Sequence, residues 1–282
     1  MGSSKRRGKP FGIITEYKAR LCAHGGQTQK GIHYDDSYSP VVSWTTVRLL
    51  LTLALIHGWY TRQIDFILAY PQADTNTTLY MELPKQYEVY EGALKHDVRT
   101  TKPSNQPHVL KLEKNLYGLK DGGLTWFNYL KKGLIARGFK QSQVEPCLFV
   151  KGELILVTYV DDCVALCPQQ KPIDDFIESM KKDYDLTDDG DLSAFLGIQI
   201  DKVRAPSGTF EYTLKQPALI TKVCKTVPLT NARTHDTPAD KILYKGGEPR
   251  KTNFHYRSAI GQLNFLTSST RPELILATHQ CA

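Results

Sequence analysis

Leu154-Ile155-Leu156-Val157-Thr158-Tyr159-Val160-Asp161-Asp162-Cys163-Val164-Ala165-Leu166-Cys167 is the stretch on which the reading of this chain turns. The run before Asp161 is apolar enough to belong in a core. Two carboxylates at its end are costly there unless they sit in a turn, meet water or bind a cation. From Cys163 the chain is apolar again, so the pattern is strand, Asp-Asp, strand: a hairpin whose tip carries two carboxylates beside a core. Such a pair serves either as a polar turn or as a seat for a hard divalent cation, which prefers oxygen ligands. Asp65 favours the second reading. It is a lone carboxylate within Ile64-Asp65-Phe66-Ile67-Leu68 and needs a partner if buried, so two acidic spots embedded in apolar strands point to one shared metal site. The pairs Asp35-Asp36, Asp174-Asp175 and Asp188-Asp189 lie in polar segments and read as solvated turns or caps.

The chain has 282 residues, which implies two domains or one large domain split by a cleft. At 41% hydrophobic and 23% charged it has the composition of a globular protein that builds a core without disulfides. Thirty-six Lys plus Arg against 29 Asp plus Glu leave a net charge of +7, which permits a polyanionic partner without demanding one. The longest apolar stretch, Leu49 to Ile56, is far short of the ~18 residues of a membrane span. Lys5-Arg6-Arg7 leads into no apolar signal segment, so an intracellular location is expected. The six cysteines form no C-x-x-C pair and read as reduced thiols; Cys163 and Cys167 are packing residues rather than half of a zinc site.

Outward from the hairpin, residues 1–10 read as a disordered basic arm. Ile13 to Ala23 alternates like a strand. Val47, Leu50, Leu51, Ala54 and Leu55 share one helical face that ends near Gly58. Tyr60 to Tyr70 begins β-like, and Glu91 to Pro107 reads as an exposed loop. Trp126 to Gly138 is a second amphipathic helix. Leu148 to Val150 and Leu154 to Val160 are strands around Lys151-Gly152-Glu153, and Ile173 to Met180 is a third helix. Phe195 to Ile200 and Phe210 to Leu214 form an antiparallel pair around Pro206-Ser207-Gly208, and the remainder is helical with an irregular middle. Helices mixed with antiparallel strands argue an α+β class.

Tyr159-Val160-Asp161-Asp162 resembles the Y-V-D-D signature of reverse transcriptases, and its surroundings resemble the Ty1/copia class of long-terminal-repeat retrotransposons. Tyr17-Lys18-Ala19-Arg20-Leu21, Tyr38-Ser39-Pro40-Val41-Val42, Gln63-Ile64-Asp65, Tyr80-Met81-Glu82 and Leu116-Tyr117-Gly118-Leu119-Lys120 follow the family in order. So do Phe195-Leu196-Gly197-Ile198, Tyr256-Arg257-Ser258 and Thr270-Arg271-Pro272-Glu273, so the resemblance covers about residues 12 to 282.

The resemblance implies a right-hand polymerase. Residues 11–215 would form fingers and palm, the palm mainly 61–80 and 121–215 with an antiparallel sheet carrying the Y-V-D-D hairpin. Residues 216–282 would begin a thumb or connection that stops before ribonuclease H. Asp65, Asp161 and Asp162 match the catalytic, metal-binding aspartates. In the family two Mg²⁺ ions, with Mn²⁺ as a substitute, activate the primer 3′-hydroxyl and neutralise the triphosphate leaving group. Tyr70 matches the aromatic beneath the incoming sugar, which excludes a 2′-hydroxyl by sterics; on the residues alone it also reads as a core tyrosine. Lys18 and Arg20 match cations that meet the triphosphate, although unaided they read as solvated strand charges. Tyr117 and Gly118 match the loop that approaches the deoxynucleoside triphosphate. Tyr159, Lys120, Leu196 and Gly197 match positions along the template-primer. The implied setting is the cytoplasm, in a virus-like particle, and the nucleus, with no membrane partner.

Two single positions and one segment depart from the family: His33 in place of an acidic residue, Asp121 in place of Gln, and Tyr70-Pro71-Gln72-Ala73 in place of Phe-Leu-Asn-Gly. Asp121 is expected to bring a negative charge near the template path. With the family's first fingers strand and ribonuclease H outside this sequence, a catalytically inactive retroelement fragment that only binds nucleic acid is the alternative. A small-molecule phosphotransferase lacks support, because no phosphate-binding glycine loop is present.

Overall fold

The computed structural model describes residues 3–8, 14–84, 109–204, 210–227, 235–239 and 254–282, with the backbone alone in 3–8, 14–19, 204 and 210. In chain order the elements are β1 (Ser3–Gly8), β2 (Ile14–Arg20), α1 (Trp44–His57), β3 (Tyr60–Phe66), α2 (Ala69–Gln72), β4 (Asp74–Glu82) and β5 (Val109–Lys114). There follow α3 (Gly122–Ala136), β6 (Lys140–Gln141), β7 (Leu148–Lys151), β8 (Leu154–Tyr159), β9 (Asp162–Cys167), α4 (Gln170–Met180) and β10 (Leu186–Gly190). The chain closes with β11 (Ala194–Phe195), β12 (Ile198–Arg204), β13 (Phe210–Lys215), α5 (Pro217–Thr226), α6 (Tyr256–Ser269) and α7 (Ile275–Cys281). It divides into two compact units, Met1–Ser43 with Ile64–Asp189, and Trp44–Gln63 with Gly190–Ala282.

The central sheet has the order β10-β3-β9-β8-β7-β6. A strand turns alternate side chains to one face, and here Ile64 and Phe66 of β3, Leu154 and Leu156 of β8, and Cys163, Ala165 and Cys167 of β9 enter one buried cluster. Against them pack Trp126, Leu130 and Leu134, one turn apart on α3, and Ile173, Phe176, Ile177 and Met180 of α4. Cys163 and Cys167 are therefore core packing, and the six thiols are free. Antiparallel pairing joins β6 through β9.

In the second unit α1 buries Val47, Leu50, Leu51 and Ala54, the face its periodicity indicated. Arg48 on that helix donates to the carbonyls of Ser268 and Ser269, where the last carbonyls of α6 lack helical partners. The sheet β11-β12-β13 is antiparallel throughout.

Several elements differ from the sequence expectation. Within the stretch expected as a disordered arm, Ser3–Gly8 form β1, which pairs antiparallel with β2, Lys5 opposite Lys18, through backbone groups that any non-proline residue carries. Helix α3 begins four residues before Trp126, because Gly122 to Thr125 continue the helix without adding to its apolar stripe. Helix α4 begins at Gln170, ahead of Ile173, since Pro172 in a first turn removes an N–H that has no helical acceptor. Phe195 and Ile198 lie on separate strands. The expected loop at 91–107 and turn at 206–208 lie outside the described residues, as does most of the irregular segment after α5.

Candidate active site

Asp65 stands on β3, whose sheet neighbour is β9. The next residue, Phe66, donates its N–H to the carbonyl of Asp161 at 2.8 Å, tying the strand of one carboxylate to the tip that carries the other. Tyr159 faces Asp162 across the β8–β9 ladder, so the hairpin loop is Val160-Asp161 and not the expected Asp161-Asp162. The pleat demands this register: Asp162 is the first residue of β9, and Asp161 alone leaves from the tip. Val160 lies at φ 51° while Asp161 does not, the φ pattern of a type II′ hairpin turn.

Asp162 is half-buried. Its carboxyl is pushed up to about 6, by burial first and then by the negative charges of Asp65, Asp161 and Asp189. A carboxyl raised in this way by burial and acidic neighbours belongs to a hard oxygen donor set that a divalent cation would stabilise. Among the described residues no three ligating side chains converge on one point. The residues fit a cation by their chemistry and neighbourhood rather than as a closed cage.

A second layer surrounds Asp161. The Tyr117 hydroxyl lies 3.5 Å from Asp161 Oδ2, at the outer limit of a hydrogen bond. Its ring stacks on Tyr70, centroids 4.7 Å apart and planes 17° apart, and the Arg20 guanidinium sits 5.1 Å from its centroid. Burial, then Asp161, pushes the Tyr117 phenol up to about 12, while Arg20 pulls the other way; burial and Asp161 raise Tyr70 as well. Both phenols therefore stay neutral at ordinary pH. Arg20 Nε is buried and has no hydrogen-bond acceptor among the described residues.

Glycines make the closeness possible. Gly118 has φ 92°, and a Cβ there would fall 2.1 Å from the Ala23 carbonyl oxygen, in the turn where Ala23 N–H donates to Tyr117. Only glycine meets both conditions. A Cβ on Gly122 would meet the Tyr70 ring at 3.2 Å, so the start of α3 is shaped around that ring.

The structure brings Asp65, Asp161, Asp162, Tyr70, Tyr117, Gly118, Arg20 and Tyr159 into one neighbourhood. Lys120 is exposed on the same segment as Tyr117, while the Lys18 side chain lies outside the described residues. Leu196 and Gly197 belong to the other unit, where both take positive φ in the two-residue loop between Phe195 and Ile198. Asp121, expected to bring a negative charge near the template path, is buried at the start of α3, and burial raises its carboxyl. His33 has a local role, its Nδ1 accepting from Gln29 N–H at 2.9 Å and its carbonyl accepting from the Thr77 hydroxyl at 2.9 Å. Sequence reading missed the Trp126 indole, which donates to the Val160 carbonyl at 2.7 Å; its apolar spacing marked it only as core.

The family model described as reverse transcriptase (RNA-dependent DNA polymerase) matches residues 7–241. The chain belongs to that family. Over 275 residues, 93% of its length, this reverse transcriptase chain is 28% identical to the retrovirus-related Pol polyprotein from transposon TNT 1-94 of Nicotiana tabacum. It is 28% identical over 276 residues to the Pol polyprotein from transposon RE1 of Arabidopsis thaliana. Similarity to the transposon Ty1-ER2 Gag-Pol polyprotein of Saccharomyces cerevisiae is 27% over 175 residues, 60% of the chain and 9% of that polyprotein. The reverse transcriptase chain spans about a fifth of the length of the two plant polyproteins, 20% and 18%. These relatives bear out the Ty1/copia resemblance.

Proposed function

We propose that this reverse transcriptase chain is an RNA-directed DNA polymerase that adds deoxynucleotides to a primer 3′-hydroxyl on an RNA or DNA template. The observation that carries the reading is the juxtaposition of Asp65 with the Asp161-Asp162 hairpin, tied by the Phe66–Asp161 hydrogen bond and expressed in the raised carboxyl of Asp162. In this reading residues 11–215 hold fingers and palm, and residues 216–282 begin the thumb or connection.

Asp65 and Asp161 would hold the cations, with Asp162 balancing charge behind them. Two Mg²⁺ ions, when bound, would supply Lewis-acid activation of the 3′-hydroxyl and neutralisation of the leaving pyrophosphate. The chain's own groups orient the substrate. Arg20, with a buried N–H lacking an acceptor, and Lys18 suit triphosphate oxygens. The Tyr70 ring, packed between Tyr117 and the start of α3, is a flat wall that leaves no room for a 2′-hydroxyl. Tyr117 and Gly118 border the nucleotide, Tyr159 and Lys120 face the template-primer, and the Leu196-Gly197 loop holds the primer end.

Primer extension on an RNA template with Mg²⁺ and deoxynucleoside triphosphates tests the reading, with Asp161→Asn as the control. Extension that needs Asp161 supports it. Duplex binding without extension would favour the second reading, a fragment that only binds nucleic acid.

A further inference from the structure

The Asp161 turn is held by two hydrogen bonds from outside its own hairpin. Trp126 is 1% exposed, and its Nε1–H donates to the Val160 carbonyl at 2.7 Å. Phe66 N–H donates to the Asp161 carbonyl at 2.8 Å. The carbonyls before and after the Asp161 side chain are thus both pinned, one from α3 and one from β3. The two anchors also touch each other, the Phe66 and Trp126 rings meeting edge to face at 5.2 Å and 67°. The carbonyl that Trp126 holds belongs to a β-branched residue at φ 51°. Such a residue is an outlier there and persists only where its surroundings over-determine it. A type II′ loop favours glycine at this place, so Val160 adopts the turn against its own preference.

We propose that Trp126 is a positioning residue for the Asp161 carboxylate. Its indole N–H holds the Val160 peptide in the strained turn and so fixes the direction in which Asp161 leaves the hairpin. Without that bond Val160 relaxes from positive φ, and the Val160–Asp161 peptide rotates and carries the Asp161 side chain away from Asp65. The inference rests on Asp161 being a metal ligand, as proposed above. It adds a residue that touches neither metal nor substrate.

The test measures Mn²⁺ binding to the whole chain by electron paramagnetic resonance, alongside primer extension. Two variants remove the donor: Trp126→Phe, and replacement of Trp126 by benzothienylalanine, which keeps the bicyclic shape and loses only the N–H. Each should weaken Mn²⁺ binding about tenfold, the scale of one buried hydrogen bond. Each should also lower kcat for extension while leaving the nucleotide KM nearly unchanged. Adding Val160→Gly to either variant should restore most of the Mn²⁺ affinity, because glycine holds positive φ without strain; a purely packing role for the indole predicts no such rescue. Unchanged Mn²⁺ binding in the benzothienylalanine protein, or a loss that Val160→Gly fails to rescue, overturns the positioning role if Asp161→Asn abolishes binding. Wild-type Mn²⁺ binding by Asp161→Asn removes the metal assignment itself, and the proposal with it.

Discussion

Two hairpins in this chain turn on two-residue loops that place a branched aliphatic residue at positive φ, and they are held in different ways. The Val160-Asp161 loop is pinned at both carbonyls by Trp126 and Phe66, and the strands leading to it are buried. The Leu196-Gly197 loop joins strands of which β11 is only two residues long. It is anchored from below by Phe195 and Ile198, 2% and 0% exposed, while Gly197 itself is exposed. Strain at the first loop is balanced by tertiary hydrogen bonds. At the second it is eased by a following glycine, with both residues at positive φ as a type I′ loop requires. On the proposed roles, a carboxylate that meets a cation would need its backbone fixed from several sides, whereas a loop that rests against a primer would need only a defined tip.

The largest expected effect falls on the first hairpin. Asp161→Asn should leave the fold intact and cut single-turnover primer extension by about a thousandfold or more, because an amide is nearly isosteric with the carboxylate yet a poor ligand for a hard cation. Asp65→Asn should act alike, and the double variant should lose little more than either single change. Extension near the wild-type rate in Asp161→Asn would strip that hairpin of its special role.

Next in size is sugar selection. Tyr70→Val removes the ring stacked on Tyr117, and the ratio of kcat/KM for deoxynucleotide over ribonucleotide should fall by about ten- to a hundredfold. An unchanged ratio would make Tyr70 a packing residue of the first unit.

A smaller effect concerns charge at the same hairpin. The Asp162 carboxyl is raised from 3.8 to about 6, so the folded chain holds this proton more tightly than the unfolded one. The stability it contributes is fully present below pH 3.8 and is lost as pH rises through about 6. In metal-free buffer Asp162→Asn should therefore stabilise the chain at pH 7.5 by on the order of 1 kcal/mol after solvent screening, and should bring no gain at pH 3.5. Urea midpoints at the two pH values measure this; an equal gain at both would assign the effect to packing.

The smallest effect belongs to the second hairpin. Leu196→Asn creates the Asn-Gly pair that type I′ loops favour and should stabilise the chain by about 0.5 kcal/mol in urea unfolding. A loss instead would mean that the Leu196 side chain is held by packing, and the contrast between the hairpins would narrow.

Much of the architecture was legible from period and composition. The apolar runs of β8 and β9, the single apolar face of α1 and the stripe of α3 are local signals, and local burial reproduced them. What failed was also local in kind. Residues 3–8 gave no sign of pairing because a ladder between backbones leaves little trace in side-chain type. The hairpin tip was set one residue late because the doubled aspartate marks polarity but not pleat register.

The order of residues along the chain was enough to single out Asp65, Asp161 and Asp162, since a carboxylate inside an apolar run is expensive wherever the chain folds. It also carried the family, through blocks that follow one another collinearly and that a match over residues 7–241 bears out. That the three aspartates share one site was an expectation; the strand pairing that brings them together was not written there. Asp65 and Asp161 are 96 positions apart by their numbering, and only the pairing of β3 beside β9 makes them neighbours. The stack of Tyr70 on Tyr117, the burial of Asp121 and the indole clamp on Val160 likewise depend on which surfaces meet. Local chemistry states which groups must be satisfied, and long-range packing chooses their partners.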